Sequence, residues 1–216
     1  MWPEGVPCAA RRAYNRTVIP ALILAAGRSS RMGRTKALLP AGRDETFITL
    51  LVRSLRHGGA DHIIVIGRPE ADDLRTAVET LGGGAQFVVN PDPDRGQLSS
   101  LIEGLEVADV AGTRGVLVMP VDMPLVRADT VARVIAAFDS SRAPIVRATV
   151  GGRHGHPVVF ARSVFGELRR ADPAVGAKLV LRAHTHAIVN VEVEDEGALE
   201  DVDAPEDYVR VFGRPL

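Results

Sequence analysis

The chain contains only one cysteine, Cys8, among 216 residues. One cysteine cannot close an internal disulfide and cannot supply a cysteine-based zinc site, so the fold must depend on its hydrophobic core. A chain of this length buries roughly 70% of the surface that its unfolded form exposes, which is enough for one α/β domain. The low cysteine content fits a reducing cytoplasm, where we expect the protein to reside.

An excess of charge of one sign is also lacking, because 26 basic residues oppose 27 acidic residues. We therefore expect no nucleic acid and no anionic membrane as a partner. No run approaches the ~20 apolar residues that span a bilayer. Residues 1–17 contain no apolar run of signal-peptide length, and we expect a poorly ordered tail there, followed by a single domain over residues 18–216.

Strand-like and helix-like segments alternate along most of the chain. This pattern predicts an α/β fold with three layers, in which helices cover both faces of a mainly parallel sheet. Ligands of such sheets bind beyond the carboxyl ends of the strands, so the loops there are expected to form the functional site. The predicted strands are 21–25, 62–66, 85–89, 115–119, 144–149 and 187–193, and the predicted helices are 46–57, 70–81, 97–108, 128–138, 162–170 and 205–212.

The loop after the first predicted strand, residues 27–36, has the composition of a phosphate-binding cradle. Gly27 and Gly33 can adopt backbone angles closed to other residues, which allows the loop to turn N–H groups toward an anion. Arg31 and Lys36 add positive charge, so a nucleoside triphosphate is the expected ligand. The spacing matches neither the dinucleotide fingerprint nor the P-loop. The alternative is a surface turn with solvated arginines.

Two acidic segments are candidates for a magnesium site. Asp122 lies between two prolines directly after a predicted strand, and Mg²⁺ is typically bound by one or two carboxylates plus substrate phosphates. Asp201 and Asp203, two residues apart, place their carboxylates on one side of an extended segment, and Asp203 is favoured as the second ligand. The alternative is that Asp203 caps the last helix, with Pro205 in its first turn; both roles are compatible.

Two other loops carry polar groups suited to small-molecule binding. Asn90 and the segment 96–100, which includes Ser99, follow the third predicted strand, where the alternative is a turn with a serine N-cap. His156 and Pro157 lie in a segment rich in glycine and histidine. His154 and His156 have no third histidine or cysteine nearby in the sequence, so a structural histidine on a hairpin is a stronger alternative than a metal pair.

The run L-A-A-G-R-S-S-R-M-G-x-x-K, from Leu24 to Lys36, resembles the signature loop of the MobA-like nucleotidyltransferases. These enzymes attach a nucleoside monophosphate to molybdopterin or to sugar and isoprenoid phosphates. Similar family segments are D-M-P-L-V from Asp122, N-P followed by G-x-S-x-S-L from Asn90, G-H-P-V-x-F at 155–160 and D-x-D-T-P-E-D from Asp201, with Ala204 here in place of the threonine. The resemblance covers roughly residues 20–210.

The resemblance implies a nucleotide-diphospho-sugar transferase-like fold and a Mg²⁺-dependent transfer of a nucleotide to a phosphorylated acceptor. CTP is favoured over GTP because Ala26 stands where the guanylyl branch has a second glycine, and molybdopterin is the favoured acceptor, with a molybdoenzyme or a chaperone as a possible protein partner. The implied residues are Arg31 and Lys36 for catalysis; Leu24, Ala25, Ala26, Gly27, Arg28, Ser29, Ser30, Gly33, Asn90 and Ser99 for the nucleotide; His156 and Pro157 for the acceptor; and Asp122 and Asp203 for the metal.

One segment departs from the family pattern. Where relatives read approximately G-D-x-G-A-R, residues 173–178 read Pro-Ala-Val-Gly-Ala-Lys, without the acidic residue before the glycine. A sugar, isoprenoid or lactyl phosphate therefore stays open as the acceptor. A non-catalytic nucleotide-binding regulator or a cofactor-insertion chaperone stays open as well, although retention of Lys36, Asp122 and Asp203 opposes both.

Overall fold

The computed structural model describes residues 18–60, 62–82 and 84–216, so the predicted tail at 1–17 lies outside the described residues. In this part of the chain, seven strands form one sheet in the order β3-β2-β1-β4-β6-β5-β7. All neighbouring strands are parallel except β6, which runs antiparallel to β4 and β5. The strands are β1 (Ala21–Leu24), β2 (Ile63–Gly67), β3 (Ala85–Val89), β4 (Gly115–Pro120), β5 (Ile145–Val150), β6 (Arg153–Ala161) and β7 (Ile188–Glu192).

Helices cover both faces of the sheet, as the alternating pattern predicts. The central strands β1, β2 and β4 are fully buried because each presents apolar side chains to a helical layer on either side. One layer contains α1, α2 and α4, and the other contains α3, α5 and α6. The helices are α1 (Phe47–His57), α2 (Asp72–Thr80), α3 (Gln97–Ala108), α4 (Ala128–Ser140), α5 (Phe165–Arg170), α6 (Lys178–Ala183) and α7 (Pro205–Phe212).

Two elements were not predicted from the sequence. Strand β6 contains Gly155 and Pro157, residues that weaken a strand prediction, yet it pairs with both β4 and β5. Its turn from β5 uses Gly151 and Gly152 with φ of 56° and 75°, angles that suit a tight hairpin. Helix α6 has only six residues, too few to give a helical period. Helix α5 begins at Phe165, after a 3₁₀ turn over Arg162–Val164, rather than at 162.

Besides the two hydrophobic cores on the faces of the sheet, a small third core joins the signature loop to the end of the chain. The Tyr208 hydroxyl donates a hydrogen bond of 2.6 Å to the Pro40 carbonyl, and the Phe47 and Tyr208 rings stack with centroids 6.3 Å apart. This packing brings the segment before α7 against the loop after β1, so that residues distant in sequence meet at one edge of the sheet. The buried members of this core are Met32, Leu39, Phe47, Val202 and Tyr208.

No helix within the described ranges is long and apolar enough to cross a membrane.

Candidate functional site

A cavity of about 350 Å³ lies at the carboxyl ends of β1 and β4. It occurs where the strand loops were expected to form a site. The signature loop forms one wall, the segment around Gly96 forms another, and the loop after β4 closes the base. Its lining includes the predicted residues Leu24, Ala25, Ala26, Gly27, Arg28, Ser29, Ser30, Arg31, Lys36, Asp122 and Asp203.

The signature loop is shaped by two left-handed residues. Gly33 has φ of 62°, which is easy only for glycine, and Ser29 has φ of 49°. The Ser29 hydroxyl accepts a hydrogen bond of 3.2 Å from the backbone N–H of Lys36, so the two ends of the loop are held together. Gly33 shapes the turn but is outside the cavity lining.

Gly27 serves a different purpose from the one predicted. Its φ is not positive, so a special backbone angle does not require glycine at this position. A Cβ atom at Gly27 would meet no atom within 4 Å, because the residue borders the open cavity. The absence of a side chain therefore leaves room for a ligand close to the backbone, and the expectation about its backbone angle was wrong.

Lys36 lies between the two predicted metal ligands. Its ammonium is 3.3 Å from the Asp122 carboxylate and also donates to the Asp203 carboxylate. Arg31 binds the second Asp203 oxygen at 2.9 Å. Burial raises the pKa of Asp122, whereas the hydrogen bond from Lys36 lowers the pKa of Asp203. The four charged side chains thus form one connected group at the base of the cavity.

Asp203 does not cap the last helix. The N-cap residue of α7 is Ala204, and the Asp207 carboxylate accepts hydrogen bonds from the backbone N–H groups of Asp203 and Ala204 at 3.1 and 2.9 Å. Asp207 therefore performs the capping that the sequence allowed for Asp203. The Asp203 side chain remains directed at Lys36 and Arg31.

Asn90 and Ser99 lie outside the cavity lining, and their hydrogen bonds hold the loop of residues 90–100 in place. Asn90 is 1% exposed, and its amide donates hydrogen bonds to the hydroxyls of Ser99 and Ser100 at 2.8 and 3.0 Å. Its carbonyl oxygen accepts a bond from the backbone N–H of Asp92. Sequence reasoning expected these side chains at the ligand; the structure instead places Gln97 and Ser100 in the lining.

An arginine missed in the sequence connects two walls of the cavity. Arg68 follows β2 and is not among the residues that the sequence predicts for the site. Its guanidinium donates to the Ala26 carbonyl at 3.1 Å and to the Asp94 carboxylate at 3.3 Å. Asp94 also pairs with Arg28, whose Nε lies 3.0 Å away, and this arginine lowers the pKa of Asp94. The only sign of this role in the sequence is the position of Arg68, a lone charged residue directly after a buried strand.

A second cavity of about 440 Å³ adjoins the first and shares Leu24, Gly96 and Gln97 with it. It lies over β4, β6 and β5, under α3 and α6, and His156 contributes to its lining, whereas Pro157 is buried and does not. The unusual segment 173–178 forms one of its walls. Its remaining lining residues are Leu98, Leu101, Val118, Arg147, His154, Gly155, Val158, Phe160 and Leu181.

His156 is held in one orientation. Since the Val118 carbonyl can only accept, the Nδ1–H group donates to it, at 3.4 Å, and Nε2 is left as an acceptor. Burial lowers the pKa of His156, so the imidazole is neutral at neutral pH. The side chain therefore offers a hydrogen-bond acceptor rather than a positive charge.

Comparison with known proteins assigns the chain to a family. The protein-family model named MobA-like NTP transferase domain matches residues 21–188 of the sequence. The chain belongs to the MobA-like NTP transferase family. It is a nucleotidyltransferase, as its signature loop predicted.

Relatives of this nucleotidyltransferase match it over most of its length. Molybdenum cofactor guanylyltransferase of Cereibacter sphaeroides is 30% identical over 197 residues, which cover 88% of this chain and 93% of that protein. Purine catabolism protein PucB of Bacillus subtilis is 27% identical over 199 residues, covering 87% and 92%. The crystal structure of Rv0371c from Mycobacterium tuberculosis has a TM-score of 0.78 at 30% identity and covers 92% of this chain and 99% of that one. The likeness confirms the predicted nucleotide-diphospho-sugar transferase-like fold.

The carboxylate pair has the donor chemistry for a hard divalent cation. One ammonium reaches both Asp122 and Asp203, so the two carboxylates are close enough to contact one ion. Within the described residues, no group of three or more histidine, cysteine, aspartate or glutamate side chains could hold a metal alone. Phosphate oxygens and water would therefore complete the shell, as is usual for Mg²⁺. A second structure of Rv0371c, 28% identical with a TM-score of 0.73 and covering 91% of this chain and 99% of that one, is a complex with manganese.

Proposed function

We propose that this MobA-like enzyme transfers CMP from CTP to a phosphorylated acceptor and releases pyrophosphate, with Mg²⁺ as its cation. The observation that carries the proposal is the arrangement of Lys36, Asp122 and Asp203 at the base of a cavity that adjoins a second one. The first cavity suits the nucleotide, and the second suits the acceptor. The two substrates would then meet where the cavities join, near Leu24 and Gln97.

The reaction requires positioning more than an activated side chain. An acceptor phosphate oxygen attacks the α-phosphorus in line, the new P–O bond forms, and the bond to the β-phosphate oxygen breaks with pyrophosphate leaving. Lys36 and Arg31 leave their carboxylate partners for the triphosphate and stabilise its charge. Mg²⁺ held by Asp122 and Asp203 supplies further positive charge to the phosphate oxygens. No serine, cysteine or histidine nucleophile is required.

The nucleoside lies in this proposal between Ala26 and the loop that Asn90 and Ser99 support. CTP is favoured because the run from Ala25 to Gly27 resembles the cytidylyl branch of the family, whereas the guanylyl branch has a second glycine in place of Ala26. GTP is the second candidate because several relatives carry the name molybdenum cofactor guanylyltransferase. Measured affinities for CTP and for GTP decide between the two nucleotides.

The acceptor is proposed to be molybdopterin or the molybdenum cofactor, bound in the second cavity against His156. Apolar side chains of β4, β6 and α3 line that cavity, which suits a largely planar organic body. Sugar, isoprenoid and lactyl phosphates are the alternative acceptors because segment 173–178 departs from the family pattern. A molybdoenzyme or chaperone is the expected recipient of the product.

The decisive experiment measures pyrophosphate release with each of four NTPs, Mg²⁺ and a panel of acceptors: molybdopterin, a sugar phosphate, an isoprenoid phosphate and a lactyl phosphate. We expect release with CTP and molybdopterin and loss of release with EDTA. Calorimetric titration of each NTP with and without Mg²⁺ provides the binding counterpart. Equal weak affinity for all four NTPs, unchanged by EDTA, together with no release, would favour the non-catalytic regulator.

A further inference from the structure

Arg147 is a charged residue in the middle of a buried strand. It lies on β5 between Val146 and Ala148, both of which are fully buried. Strand alternation turns Arg147 to the same side as Ile145, which belongs to the core beneath α3 and α5. There it forms part of the lining of the second cavity. Arg147 is the only residue of β5 that is not buried, so its guanidinium is accessible from the cavity.

The guanidinium hydrogen-bonds to an amide and an imidazole in the described structure. Its Nε donates to the Asn190 side-chain oxygen at 2.8 Å, and its Nη2 donates to His154 Nε2 at 2.7 Å. No carboxylate in the described ranges forms an ion pair with it, in contrast to Arg28, Arg31 and Arg68 of the first cavity. Burial lowers the pKa of Arg147 with no opposing negative charge. The positive charge is therefore held and oriented but not neutralised.

The rest of the second cavity offers no negative charge either. Among its described lining residues there is no aspartate or glutamate, while Lys178 adds a second exposed cation. Lys178 is part of the segment 173–178 that departs from the family pattern. The guanidinium is partly exposed to this cavity, so an anion that enters the cavity can reach it. The second cavity thus combines mostly apolar walls with a positive end formed by Arg147.

This positive end is distant from the carboxylates of the first cavity. Arg147 pairs across the sheet with Val158, which pairs with Val118 on β4. Two strand spacings, about 10 Å, separate Arg147 from β4, and Asp122 lies beyond the carboxyl end of β4, which is Pro120. Arg147 lines only the second cavity and Asp122 only the first, so the positive charge and the carboxylates belong to different parts of the joined cavities.

We propose that Arg147 binds a second anionic group of the acceptor, separate from the phosphate that attacks the nucleotide. The acceptor would then be a molecule with an apolar or planar body that carries a negative group in addition to that phosphate. Naming the ligand as the acceptor rests on the proposed function, whereas the anion subsite rests on the cavity alone. Arg147 acts as a specificity residue because an acceptor without the second anion leaves its charge unpaired.

The test uses two fluorescent probes that differ in one sulfonate. The anionic probe is 1-anilinonaphthalene-8-sulfonate, and its uncharged counterpart is N-phenyl-1-naphthylamine. Both are titrated with the full chain in the presence of saturating CTP and Mg²⁺, which keep the first cavity occupied, and no acceptor is added, so no turnover occurs. The variants are Arg147→Met, which keeps the side-chain bulk, and Arg147→Lys, which keeps the charge. The matched control is Arg142→Met, because Arg142 is exposed and outside the cavity.

We expect Arg147→Met to weaken binding of the sulfonate probe by about 10- to 100-fold, the range for loss of a charged hydrogen bond. Binding of the uncharged probe should change by less than about twofold, and Arg147→Lys should restore part of the sulfonate affinity. Equal weakening of both probes, or unchanged sulfonate binding, would overturn the subsite. Matching melting temperatures of Arg147→Met and Arg142→Met establish that the variant is folded.

The outcome separates the subsite from the proposed function. Probe binding requires no turnover, so absence of pyrophosphate release in the NTP screen would overturn the proposed function and leave the subsite standing. With an active acceptor, Arg147→Met should raise the KM of that acceptor by at least tenfold while the KM of the nucleotide stays unchanged. A rise in the nucleotide KM instead would overturn the placement of the anion at the acceptor end.

Discussion

The Lys36 ammonium lies 3.3 Å from the Asp122 carboxylate, although 86 positions separate the two residues in the sequence. The same ammonium donates to Asp203, so one lysine pairs with two carboxylates. Its side chain is only 12% exposed, which increases its electrostatic effect on both partners. When a triphosphate binds, Lys36 can exchange these carboxylates for phosphate oxygens, and the carboxylates become available to a divalent cation.

Replacement of this lysine tests its catalytic role. We expect Lys36→Ala to lower kcat by on the order of 100- to 1000-fold, the cost of losing one well-placed donor to developing charge. Arg34→Ala is the matched control, since Arg34 is an exposed cation of the same loop and outside the cavity lining, and it should retain nearly full rate. Early melting of Lys36→Ala with unchanged specific activity of the folded fraction would indicate a structural lysine instead.

The same variant should bind a divalent cation more readily without nucleotide. In the wild-type chain the Lys36 ammonium occupies the space between Asp122 and Asp203, and its removal leaves Asp122 without a counter-ion and Asp203 paired only with Arg31. Electron paramagnetic resonance of added Mn²⁺ measures this directly. We expect tighter Mn²⁺ binding by Lys36→Ala than by wild type in the absence of NTP, and a reversal of the order when CTP is present. Weaker binding by the variant under both conditions would contradict this exchange.

Metal binding and helix capping can be separated at the segment before α7. Asp203→Asn should abolish most activity with little change in melting temperature, because the Asp203 side chain contacts Lys36 and Arg31 rather than the helix. Asp207→Ala should instead reduce stability by about 0.5–1.5 kcal/mol, because the backbone N–H groups of Asp203 and Ala204 lose their acceptor, with a smaller effect on rate. Rate and melting temperature are measured for both variants.

A double variant tests whether the two metal ligands act as a unit. Asp122→Asn alone should reduce the rate about as much as Asp203→Asn, and both changes together should be little worse than either one. Near-wild-type turnover of Asp203→Asn would remove that residue from the site. Full additivity of the two changes would show that the carboxylates act independently.

Much of the fold could be predicted because each central strand carries its own signal. The apolar runs of β1, β2 and β4 and the alternation with helices were sufficient to predict the layers and the functional edge. Strand β6 was missed because Gly155 and Pro157 read locally as loop residues, and only pairing with β4 and β5 overrides them. Tertiary pairing of this kind has no local trace in the sequence.

The candidate site, like the fold, was predicted only in part. The residues of the signature loop, Asp122 and Asp203 were located by ordered motifs, and the structure brings them to one cavity. Arg68 and Arg147 belong to no motif, and their importance depends on neighbours from distant strands and loops. Asn90 was placed at the ligand because its amide could read a base, but those same donors are used by Ser99 and Ser100.

Arg68 is expected to position the nucleotide site without touching the reacting atoms. Its guanidinium joins the Ala26 carbonyl to Asp94, so Arg68→Met should loosen both walls and raise the KM of CTP by about tenfold, the effect of roughly 1.4 kcal/mol. The kcat should change much less, since Lys36 and Asp122 remain in place. Glu70→Gln is the control, because it alters the third partner of Arg68 and leaves these two contacts intact. A proportional loss of kcat would contradict a positioning role.

Gly27 offers a clean separation of binding from folding. A Cβ atom at this position meets no protein atom within 4 Å, and the backbone does not have a positive φ. Gly27→Ala should therefore fold normally and can gain up to about 1 kcal/mol of stability, because alanine restricts the unfolded chain. The same methyl group projects into the cavity and should weaken CTP binding by at least tenfold in calorimetric titration. Gly33→Ala is the opposite case, since its φ of 62° makes any side chain costly, and it should lower the melting temperature. Wild-type CTP affinity of a stable Gly27→Ala variant would show that the nucleotide does not approach the loop at this residue.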